Sequence, residues 1–173
     1  GTTGNADGAS ASSDNCVLYD ATGPTVTVNQ AVGQSDPTEA LPINFTVVFS
    51  EAINPATFTV ADITETGSTA TGITWCLSTA DNITWTLSAT AVTGEGTLVP
   101  SIAAGVVTDT TGNANAASTS TDNSVLYDAT GPTVTANQAV GQSDPTNALP
   151  INFTVVFSEA INPATFTVAD ITE

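Results

Sequence analysis

Asp20, Glu51, Asp109 and Asn113 offer three carboxylates and an amide oxygen, the kind of ligand set that a hard cation such as Ca²⁺ takes. Calcium needs 6–8 oxygens, and backbone carbonyls and waters can complete a partial shell. The rest of the sequence makes this chemistry pressing. There is no Lys, no Arg and no His, against 17 Asp plus Glu, for a formal net charge of −17 at pH 7. Carboxylates gathered in such a chain meet no cationic side chain, so they need a bound ion or they lose stability. Asp128 and Glu159 repeat part of the same set further along. The plainer alternative is that Asp109 and Asn113 hydrogen-bond within a tight turn, Asp20 caps a linker and Glu51 is solvated. Asp36, Asp144, Asp62 and Asp170 rank second, and turn formation is the expected role for those.

The same composition removes whole classes of function. Nucleic acid is excluded as a partner, because nothing here can displace the phosphate counterions. Anionic headgroups are excluded likewise, and no apolar run is long enough for membrane insertion. Without imidazole there is no Ser-His-Asp or Cys-His catalysis and no histidine metal ligand. Without Lys there is no Lys–Asn isopeptide crosslink. Paired acids could hydrolyse a glycoside only if an apolar setting raised one pKa, and no carboxylate lies in one. The chain reads as non-catalytic.

The elements that must position these groups are set by a repeat. Val17-Leu18-Tyr19-Asp20-Ala21-Thr22-Gly23-Pro24 returns as Val125-Leu126-Tyr127-Asp128-Ala129-Thr130-Gly131-Pro132, an offset of 108 residues. Residues 125–173 differ from 17–65 at two places only, Val28/Ala136 and Glu39/Asn147. Thr2-Thr3-Gly4-Asn5-Ala6 likewise matches Thr110-Thr111-Gly112-Asn113-Ala114. Residues 1–16 are therefore expected to end one unit, 17–124 to form a complete one, and 125–173 to begin a third. Gly1 falls in a mid-domain loop on this scheme, so an internal fragment is expected, with any secretion signal outside it. A period of this length suits one folding β-domain rather than a solenoid coil.

Within the unit the apolar residues alternate. Ile43, Phe45, Val47 and Phe49 share one strand face, and Ile73–Leu77 and Ile83–Leu87 read as a hairpin across Ser78–Asn82. Thr25–Asn29, Thr57–Val60, Leu98–Val107 and Ser118–Tyr127 bring the expected strands to seven. Pro, Gly and Asn separate them at Asp36-Pro37, Asn54-Pro55, Gly94-Glu95-Gly96 and Gly112-Asn113. The fold class predicted is all-β, a tandem array of immunoglobulin-like sandwiches with Trp75 and Trp85 as core anchors. Lettering the strands A to G, the BC loop with Glu51, the FG loop with Asp109 and Asn113, and the linker with Asp20 all fall at one pole.

These residues also carry a family resemblance. Asp20 with Pro24-Thr25-Val26-Thr27, Asp36-Pro37-Thr38, Pro42 through Glu51, and Asp109-Thr110-Thr111-Gly112-Asn113 resemble the bacterial Ig-like repeats of large surface and secreted adhesins. The likeness spans the chain and recurs in register at 128–170. It implies extracellular tandem arrays, often rigidified by Ca²⁺, and the absence of Lys departs from the usual pattern. The function expected is a structural or adhesive segment at the cell surface or outside the cell. Its partners would be neighbouring repeats of the same chain. The alternative is a self-assembling subunit whose copies join in a filament by strand exchange or lateral contacts, with a glycan-binding module behind both.

Cys76 should face outward beside inward Trp75 and Leu77, while Cys16 lies where the next copy has Ser124. A Cys16–Cys76 disulfide, another partner, a link to a second chain and free thiols all stay open. Asn44, Asn82 and Asn152 open N-x-Thr sequons, which Thr-rich strands explain equally well.

Overall fold

A computed structural model describes Asp14 and residues 16–172. The chain divides into two units, one ending at Tyr127 and the next running from Asp128. In chain order the strands of the first are β1 (Val26–Gln30), β2 (Ile43–Phe49), β3 (Ile63–Thr64), β4 (Thr74–Thr79), β5 (Thr84–Ala91), β6 (Gly96–Leu98), β7 (Ser101–Ile102) and β8 (Val125–Tyr127). The second unit has β9 (Val134–Gln138) and β10 (Phe153–Phe157).

One antiparallel sheet, ordered β1-β2-β5-β4, forms a layer of the first unit. Its alternating residues do what the period-two pattern requires. Val26 and Val28, Ile43 through Phe49, and Trp85, Leu87 and Ala89 bury one face. Opposite them lie the short pairs β3–β7 and β6–β8, which contribute Ile102, Leu98 and Val125 to the same core. Each fully buried side chain of this size contributes about 1.5–3 kcal/mol. Phe58 bridges the layers, edge-on to Phe49 at 5.3 Å and to Trp85 at 5.1 Å between ring centroids. The result is an all-β sandwich.

Four expectations are corrected. Thr57–Val60 is not a strand but lies between two 3-10 turns, Pro55–Thr57 and Val60–Asp62. Asn54 caps the first by accepting from the Ala56 N–H, and Asp62 takes the Thr59 N–H and hydroxyl in a capping box. Leu98–Val107 breaks at Pro100 into β6 and β7. Ser118–Tyr127 also divides, because the chain changes sheets: Thr119 pairs in parallel with Thr27 on the outer edge of β1, and only Val125–Tyr127 reaches β6. Fully buried Val125 packs in the core of the first unit, which ends at Tyr127. Trp85 is buried as expected, whereas Trp75 is only partly so and donates from Nε1 to Glu65 Oε1 at 2.7 Å.

The second unit repeats the opening of the first. β9 pairs with β10 in the register that joins β1 to β2, and Phe157 meets Phe166 edge-on at 5.1 Å, as Phe49 meets Phe58.

Candidate metal centre

Hydrogen bonds between loops assemble one pole of the first unit. Thr25 and Ser50 are tied twice, by Ser50 N–H to the Thr25 carbonyl at 2.9 Å and Thr25 N–H to Ser50 Oγ at 3.0 Å. That places Glu51 beside the segment arriving from Asp20. Ile53 bridges Asp109, and Asn54 N–H donates to the Thr108 carbonyl at 2.9 Å, which lays the 50–57 loop against the loop carrying Asp109. Gly23 completes the convergence. A Cβ built there would lie 1.9 Å from the Ala114 carbonyl oxygen, so only glycine lets the incoming chain press against this loop.

The outcome is one acidic cluster. Asp20, Glu51 and Asp109 present carboxylate oxygens that all lie within 4.8 Å of one another. Three carboxylates this close lie within reach of one hard cation, whose oxygen ligands sit at about 2.4 Å. No other cluster of three or more such groups occurs among the described residues.

Asp109 is the fixed member, with 2 % of its surface exposed. Its Oδ1 accepts from the Thr111 N–H (2.8 Å), the Thr111 hydroxyl (2.9 Å) and the Asn113 N–H (2.8 Å). Its Oδ2 accepts from Asn113 Nδ2 at 2.9 Å and the Thr111 hydroxyl at 3.0 Å. Burial works to raise its pKa, but the hydrogen bonds from Asn113 and Thr111 outweigh burial and hold it down to about 2. Glu51 behaves oppositely. Desolvation first, then the negative charges of Asp20 and Asp109, push its carboxyl above the ordinary range. The site thus combines a locked anion with a repelled one.

Asn113 joins the cluster differently from expectation. Its amide nitrogen faces inward, donating to Asp109 and, at 3.3 Å, to the Asp20 carbonyl. It steadies the Asp109 carboxylate and ties the Asp20 segment to the loop, with its nitrogen rather than its oxygen turned toward them. The sequence reading assigned no role of its own to Thr111 or Asn115. Asn115, buried within the same loop, accepts from the N–H groups of Val106 and Val107 and donates to the carbonyls of Ala103 and Ala116. The signal available was the spacing Asp109-x-Thr111-x-Asn113-x-Asn115, since Asx and Thr side chains fold turns onto themselves.

The second unit repeats Asp128 and Glu159 without the loop that supplies Asp109 in the first. Asp128 accepts from its own Thr130 N–H and Glu159 is exposed, with no counterpart of the 103–117 loop among residues 128–172. Asp62 and Asp170 cap 3-10 turns as expected. Asp36 has a longer reach, its Oδ1 accepting from the Leu126 N–H at 2.9 Å. Cys16 and Cys76 are free and exposed.

A family model described as a bacterial Ig-like domain matches residues 20–126, closely the stretch from the linker carboxylate to the last strand. No curated protein and no solved structure matches.

Proposed function

The chain belongs to the bacterial Ig-like domain family, and on that premise we propose that it is a structural segment of an extracellular or surface-exposed array, stiffened by Ca²⁺ bound through Asp20, Glu51 and Asp109. The family carries the coarser part, a structural or adhesive-type module of a kind often found in surface proteins and typically without enzymatic activity. No helix among the described residues is long and apolar enough to cross a membrane.

The observation that carries the metal is the origin of the three carboxylates. One comes from the linker and two from loops of the domain that follows it. An ion shared among them fastens linker to domain, and its removal leaves three like charges facing one another. The action is mechanical: a joint that bends freely without the ion is held at one angle with it.

Thermal unfolding with millimolar free Ca²⁺ and then with EDTA tests this. Binding to the native state alone stabilises by about 2.7 kcal/mol at a free concentration 100 times Kd. For a domain of this size that raises Tm by roughly 10 °C or more. Asp109→Ala is expected to abolish the calcium-dependent rise. Equal melting temperatures in Ca²⁺ and EDTA would sink the proposal.

A further inference from the structure

The two edges of the four-stranded sheet in the first unit are treated differently. β1 is covered, since its Val28 and Gln30 N–H groups donate to the carbonyls of Thr119 and Asp122 and Thr27 pairs in parallel with Thr119. β4, at the other edge, pairs with β5 alone. The ladder determines which of its groups are left over. Phe49 N–H donates to the Ile83 carbonyl, so the odd-numbered residues of β2 and β5 bond each other. The even-numbered residues of β5 are then turned to β4, where Ser88 and Thr86 lie opposite Cys76 and Ser78. The N–H and C=O groups of Trp75 and Leu77 point to the open edge. Among the described residues no backbone bond takes them up, and only a weak contact from Cys76 Sγ, at 4.0 Å, reaches the Leu77 carbonyl.

An edge of this kind is a template for another strand unless charge, proline or a bulge blocks it. β4 carries neither charge nor proline. The register shift between Thr74 and Trp75 skips Thr90 of β5 and leaves β4 itself regular. Thr74, Cys76 and Ser78 are exposed on its outer face, while Trp75 and Leu77 are half-buried on the core side.

We propose that β4 is the surface by which two copies of this chain associate, each strand adding antiparallel to the other across a two-fold axis at Cys76. Trp75 would exchange both main-chain bonds with Leu77 of the second copy, and Leu77 with its Trp75. A second copy suits the edge because residues 74–78 are complementary to themselves about their centre: apolar meets apolar on the core side, and Thr74 meets Ser78 on the outer side. The two Cys76 residues form a non-hydrogen-bonded pair, about 4.5 Å apart at Cα. That lies inside the range of about 4.4–6.8 Å that a disulfide spans. One Cys76 thiolate attacks a small disulfide such as oxidised glutathione and releases one glutathione thiol. The second Cys76 thiolate then attacks the mixed disulfide and releases the other, which leaves the two copies joined. The contact is isologous and closes at two. It uses none of the clustered carboxylates, so it stands or falls apart from the metal.

Crosslinking by oxidised glutathione in EDTA, read on non-reducing gels in a Cys16→Ser background, tests it. Each copy brings a net charge of −17, so the Cys76–Cys76 dimer should form faster at about 1 M NaCl, where the Debye length is about 3 Å, than at low salt. It should also form faster than a dimer of Cys76→Ser with Thr27→Cys, a thiol moved to an exposed site on β1. Thr74→Glu with Ser78→Glu sets like charges opposite each other at exposed positions, and should slow the link about 10-fold or more while leaving melting unchanged. With Cys76→Ser in place, Thr74→Cys and Ser78→Cys should each link poorly to themselves and readily to one another when mixed. A Cys76 link no faster than that of the Thr27→Cys control overturns the proposal, as does Thr74→Cys linking to itself as fast as the mixture does.

Discussion

Glu51 and Asp109 sit within one cluster yet respond to pH in opposite senses. Asp109 has a depressed pKa, so its stabilisation is present above the ordinary value of 3.8 and is lost as pH falls toward about 2. Glu51 has a raised pKa, so its contribution is complete below the ordinary value of 4.5 and is lost as pH rises through the elevated one. Without metal, stability should therefore climb as pH falls from neutrality through the Glu51 titration, then decline once Asp109 begins to protonate below 3.8. Glu51→Gln removes the repulsion at every pH. We expect it to raise the metal-free Tm at pH 7, to flatten the climb, and to weaken the calcium response, because a carboxylate ligand is gone. Melting curves from pH 3 to 8 in EDTA check this, and a wild-type protein whose stability falls steadily from neutrality would contradict it. Asp20, Glu51 and Asp109 could be named from strand order alone. The inward nitrogen of Asn113 could not, because amide orientation follows from loop hydrogen bonds that spacing does not reveal.

Elements bring these residues together, and here the sequence is legible unevenly. β2, β4 and β5 follow from alternation, since one face of each meets a core and the other meets water. Thr57–Val60 shows the limit: Phe58 and Val60 alternate like a strand, but Asn54-Pro55 and Thr59 with Asp62 supply caps that wind both flanks into 3-10 turns. The passage of 118–127 from the edge of β1 to β6 was hidden for another reason, since a switch between sheets depends on long-range pairing. The 103–117 loop is the element on which the site depends most, and buried Asn115 organises it from within through four backbone groups. Asn115→Ala leaves those groups without partners in a region water reaches poorly, at a cost on the order of 3 kcal/mol. That corresponds to a fall in Tm of roughly 10–20 °C for a domain of this size. Because Asp109 is positioned by this loop, apparent calcium affinity should fall as well, although Asn115 touches no ligand atom. A variant that melts normally would show that the loop is organised by other contacts.

At the scale of the whole chain, 17 carboxylates without one cationic side chain make diffuse repulsion part of the energetics. Compacting such a chain gathers like charge, so screening should favour the folded state. We expect Tm to rise steadily with NaCl in EDTA, levelling off near about 1 M, where the Debye length is about 3 Å. Calcium would act in two ways at once, screening the surface generally and bridging the three carboxylates at the linker. Salt separates the two. Once NaCl has removed the diffuse term, any remaining rise on adding Ca²⁺ belongs to a site whose ligands lie too close together to be screened from one another. It should saturate at low millimolar Ca²⁺, survive in Glu65→Gln, whose carboxylate lies outside the cluster and accepts from Trp75, and vanish in Asp109→Ala. A calcium effect that disappears into the high-salt plateau would mean that the acidic surface is the whole of the interaction. A Tm insensitive to NaCl would mean that the folded chain disperses its charge well enough for repulsion to matter little.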